Sequence, residues 1–66
     1  MLLCQLKVLE ELNRLNEKLD NLNIFVETER FKSLDKAEQD RLFQQQIVLQ
    51  QYATILETRI SAFNKL

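Results

Sequence analysis

The sequence predicts an all-α protein, a two-helix antiparallel hairpin that oligomerises into a helical bundle. Three observations carry that expectation. Apolar residues recur every three or four positions through two long segments, the spacing that lines one face of a helix. That rhythm lapses once, from Thr28 to Asp35, in a stretch rich in side chains that cap helices. The run LFQQQIVLQQYATIL, Leu42 to Leu56, has no Asp, Glu, Lys or Arg, although such residues make up 29% of the chain. A helix with a wet face normally carries charge there, so an uncharged run with Gln at its polar positions implies contact on more than one side.

The first helix is expected over about residues 2–27. Val8, Leu12, Leu15, Leu19, Leu22 and Val26 keep an alternating four-three spacing, with Leu9 and Phe25 widening the stripe. Asn13, Arg14, Glu17, Lys18, Asp20 and Asn21 fall mostly away from it, and ion pairs are available from Arg14 to Glu10, Glu11 and Glu17. Leu2, Leu3, Leu6 and Ile24 lie off the stripe and call for a partner helix, since large exposed aliphatics are a liability on a small chain.

The turn is expected over about residues 28–35. Without a single Gly or Pro it must rest on side-chain caps. Asp35 to Glu38 has the D-x-x-E form of a capping box, and Thr28 can cap a short turn that points Phe31 and Leu34 inward. The second helix then runs over about residues 36–64, with Leu42, Leu49, Ala53, Leu56, Ile60 and Phe63 on its core stripe and Gln46 as the one polar interruption. Val48, Tyr52 and Ile55 form a strip on one flank, and Phe43 with Ile47 lies on another side, so these five are the expected oligomer interface. The competing reading straightens the loop and makes one long helix in a coiled coil.

Composition narrows the function classes. Sixty-six residues form one small domain, which rarely gains more than about 3–5 kcal/mol from its core without help. One cysteine, Cys4, gives no internal disulfide, and without His a structural zinc site is excluded, which leaves oligomerisation. No glycine-rich phosphate loop can exist, and the commonest general base is absent. We therefore expect no enzyme, no metal and no cofactor. A net charge of −1 offers no broad positive field for extended nucleic acid, and five glutamines exclude the Leu42–Leu56 run from a membrane. With no basic region ahead of its first apolar residues, the chain is expected in the cytoplasm.

The pattern L-x-x-F-V-x-T-x-x-F-x-x-L from Leu22 to Leu34, followed by Glu38-Gln39, Gln46, Tyr52 and I-L-E-T-R-I at Ile55 to Ile60, resembles the small phage-encoded helical-hairpin proteins of the crAss-phage-related family. Those are similar to the hairpin domain of the anti-CBASS and Thoeris anti-defence sponges. The likeness covers about Glu11 to Ile60. It implies a phage anti-defence protein, acting in the host cytoplasm, that sequesters a cyclic nucleotide immune messenger without hydrolysis, in pockets between subunits of a homo-oligomer.

A ligand of that kind needs cations for its phosphates and flat groups for its bases. Tyr52 and Arg59, seven residues apart on one flank of the second helix, and Arg30, Lys32 and Arg41 near the turn are the candidate ligand-binding residues. Each also has a plainer reading. Arg59 can be a snorkelling surface side chain, Tyr52 an interface residue, and the turn cations part of a solvated loop interleaved with acids. The alternative function is accordingly a non-enzymatic protein–protein interaction or assembly module with no small-molecule ligand.

Overall fold

A computed structural model describes residues 2–63. All its regular structure is helical: α1, Leu3–Phe25; the single turn α2, Glu29–Lys32; and α3, Lys36–Ala62. The expected continuation of the last helix to Asn64 lies outside the described residues.

The local causes of these boundaries are side-chain hydrogen bonds. The Thr28 hydroxyl donates to the Phe25 carbonyl at 2.6 Å and accepts from the Phe31 amide at 3.2 Å, so it closes α1 and opens α2 together. Asp35 caps α3 by accepting from the Glu38 amide at 2.8 Å. The reciprocal half of the expected capping box does not form, because the Glu38 carboxylate accepts instead from Arg41 Nε at 2.7 Å. Gln39 reaches back to the Lys32 and Leu34 carbonyls at 3.3 and 2.9 Å, which satisfies backbone that a glycine cap would otherwise serve. At the start of α1, Gln5 accepts from the Leu2 amide at 3.0 Å.

The long helices pack on each other and give a body of 49 × 14 × 14 Å. Near the connection, Gln46 donates to Asn23 at 2.8 Å, so the polar residue in the core stripe has a partner on α1. Toward the other end, Val8 and Leu15 join Ala53 and Leu56 in a buried cluster, with Leu12, Leu49, Ile60 and Phe63 packed against it. The connection is closed by aromatic packing, with buried Phe31 edge-on to Phe25 at 6.1 Å and to Phe43 at 5.2 Å. Phe43, expected at an oligomer interface, thus spends part of its ring on this plug and leaves 42% exposed.

The core is thin. Only Val8, Leu15, Leu19, Phe31, Ala53 and Leu56 are buried among the described residues. The chain exposes 5258 Å², whereas a folded monomer of this mass exposes about 4,400 Å². Leu2, Leu3, Leu6, Ile24, Ile47, Val48 and Ile55 all stand in solvent.

Candidate functional site

The flank of α1 that borders α3 carries Glu11, Arg14 and Lys18, and the facing flank of α3 carries Tyr52. Together with Leu15 these residues line a shallow groove of about 190 Å³. Arg14 and Lys18 are four residues apart on a regular helix and so project from one side of α1. The same two cations, with Glu17 and Asn21, border a wider and more open depression beside it. Among the described residues Arg14 is held only by Glu10, at 3.9 Å, with both side chains largely exposed, so its guanidinium is available to a better anion. Glu11 is half-buried in the groove and supplies a carboxylate acceptor next to the cations.

The arrangement has a definite chemical character. Two cations can take a phosphate, the Tyr52 ring offers a face or edge to a base, and a carboxylate can accept from an exocyclic amine. A volume of 190 Å³ is below the roughly 300–1,000 Å³ of pockets that enclose a drug-sized ligand. A single chain therefore presents an open groove, not an enclosing pocket.

Tyr52 lies in this groove. Arg59 stands on the same continuous helix, seven residues and about 10 Å further along, and makes no ion pair among the described residues. The other three candidates sit elsewhere: Arg41 is eleven residues, about 16 Å, from Tyr52 along α3. Within one chain they form a separate group by the turn, and most of that group's charge is taken. Lys32 pairs with Glu29 at 3.6 Å, Lys36 with Asp40 at 2.8 Å and Arg41 with Glu38 at 2.7 Å. The hydrogen bond and the charge of Glu38 hold the Arg41 guanidinium above its ordinary pKa. Arg30 is exposed in the same stretch.

The sequence places Arg14 and Lys18 away from the core stripe and offers Glu11 as an ion-pair partner of Arg14, but gives none of the three as a ligand candidate. Their signal was there, a basic i,i+4 pair on a helix flank, but which flank would meet Tyr52 depends on how the helices pack.

The family model described as Sequestin matches residues 4–62 of the chain. An uncharacterized 7.5 kDa protein encoded in the denB-rIIB intergenic region of Enterobacteria phage T4 is 38% identical over 63 residues, covering 96% of this chain and 98% of the relative. No solved structure matches the chain.

Proposed function

Because this chain belongs to the Sequestin family, whose name denotes sequestration and not a reaction, we propose that it holds a small nucleotide-type anion by binding alone. The finer reading is a cyclic nucleotide messenger of the host's immune enzymes, captured in the host cytoplasm by a homo-oligomer of antiparallel hairpins. The observation that carries it is the groove in which Arg14, Lys18 and Glu11 of α1 meet Tyr52 of α3. Cations for phosphate, a ring for a base and an acceptor for its amine are the groups such a ligand needs.

The groove's small volume supports a site finished by a second subunit, with Arg59 beyond Tyr52 as a further anion contact. No bond needs to be cut. A sponge works by mass action, lowering free messenger below the level that activates its effector, so affinity and abundance set its strength.

Calorimetric titration with a panel of cyclic di- and trinucleotides and cyclic ADP-ribose variants tests this reading. We expect submicromolar binding of at least one, with the ligand recovered chemically unchanged. Affinities no tighter than millimolar across the panel would refute it and favour the protein-interaction module.

A further inference from the structure

The side of α3 turned away from α1 is built as regularly as the side that packs on it. At about 100° per residue, the core residues Leu42, Leu49, Ala53, Leu56 and Ile60 share one direction, and Gln44, Gln51 and Thr58 lie nearly opposite, seven residues apart. Ile47 and Thr54 border that line on one side, Val48 and Ile55 on the other. Ile47, Val48 and Ile55 are 59%, 55% and 58% exposed. Thr54 and Thr58 return their hydroxyls to the Gln50 and Thr54 carbonyls at 3.0 and 2.9 Å. From Gln44 to Thr54 this surface holds no charge, whereas the outer face of α1 carries Glu10 and Glu17.

We infer that this seam packs against the same seam of a second copy, antiparallel, with the two-fold axis near Gln51. The inference rests on the assembled-subunit part of the function proposed above and is independent of the ligand. Three facts select the occupant and its direction. A stable complex takes roughly 800 Å² from each partner; the 14 × 14 Å ends of the body are too small for that, and a 49 × 14 Å side is of that order. An uncharged seam finds its match in itself, because the charged outer face of α1 would leave ions unpaired against it. Asp40, four residues before Gln44 and on the same line of the helix, would face its own copy in a parallel pair, and faces the region of Ala62 in the antiparallel one.

In this register Ile55 meets Val48 of the second copy, Ile47 meets its Thr54, and Gln51 meets its Gln51. At the centre of the seam the Gln51 amide, both donor and acceptor, can pair with its own copy. Both Tyr52 grooves then open on one face of the pair. On that face Arg59 of one chain comes within about 3 Å, in level along the helix, of Arg41 of the other. The second copy thereby joins the two cation groups that a single chain keeps apart.

Oxidative cross-linking of ligand-free protein tests this. In a Cys4→Ser background, Gln51→Cys places a thiol on the two-fold axis, and Asn13→Cys on the outer face of α1 is the control. We expect Gln51→Cys to form a two-chain disulfide at least tenfold faster than the control, and Ile47→Glu with Ile55→Glu to reduce the mass by light scattering to one chain with helix content retained. Equal cross-linking at the two positions, a wild-type monomer, or an unchanged mass in the double variant would each overturn the seam. Gln51 is exposed and its replacement leaves the core intact, so the cross-link answers even if the double variant fails to fold. Nucleotide binding enters neither readout.

Discussion

Leu56 and Ile55 are neighbours in sequence with opposite environments, and truncating each in turn separates the fold from the assembly. Leu56 is 0% exposed, against Val8, Leu15 and Ala53, while Ile55 is 58% exposed in the single chain. Leu56→Ala removes three buried carbons, about 2.4 kcal/mol at roughly 0.8 kcal/mol each, and leaves a cavity that adds to it. The sum is about 3 kcal/mol, in the lower half of the range for such truncations because a two-helix contact can partly collapse. With a total near 3–5 kcal/mol for a core this size, most of the stability is lost. For a chain of this length that is a fall of about 20 °C in Tm.

Ile55→Ala, by contrast, is expected to change a dilute, monomeric sample by no more than about 0.5 kcal/mol. Its cost should grow with protein concentration as the seam becomes occupied. Urea titrations followed by circular dichroism, run at several protein concentrations, measure both. A Leu56→Ala loss below about 1 kcal/mol, or equal losses for the two variants at high dilution, would refute the packing described.

Phe31→Ala should cost about 3 kcal/mol, since the ring is buried between Phe25 and Phe43; chemical denaturation against wild type checks it. Asp35→Ala removes the α3 cap and should cost about 1 kcal/mol, whereas Asp35→Asn, which keeps an acceptor, should cost less than half of that in the same assay. Arg14→Glu with Lys18→Glu should weaken binding of any nucleotide found by titration at least tenfold with the helical spectrum unchanged; full affinity in that variant would remove the groove from the site. Arg41→Ala should leave Tm within a few degrees of wild type, because its pair with Glu38 is exposed.

Several features of this molecule are dictated locally and can be read from the chain. Helix in place of strand follows from the three-four spacing, and the ends of α2 and α3 follow from Thr28 and Asp35, whose side chains reach only three residues. The buried stripe is legible for the same reason, because Val8, Leu15, Ala53 and Leu56 share helical faces set by periodicity alone. The D-x-x-E spacing gives Glu38 as half of a capping box, but its carboxylate pairs with Arg41 instead, a partner that charge favours over a backbone amide.

What needed the tertiary structure was everything that depends on two elements meeting. Periodicity gives each helix a face but not the rotation and offset at which the faces engage. Only the packed helices place Arg14, Lys18 and Glu11 beside Tyr52, pair Gln46 with Asn23, and turn part of Phe43 into the plug at the connection. The absence of charge from Leu42 to Leu56 was visible from the start. Which residues of α1 meet the core stripe of α3, and at what offset, is a distance relation between chain segments, and a one-dimensional pattern does not contain it.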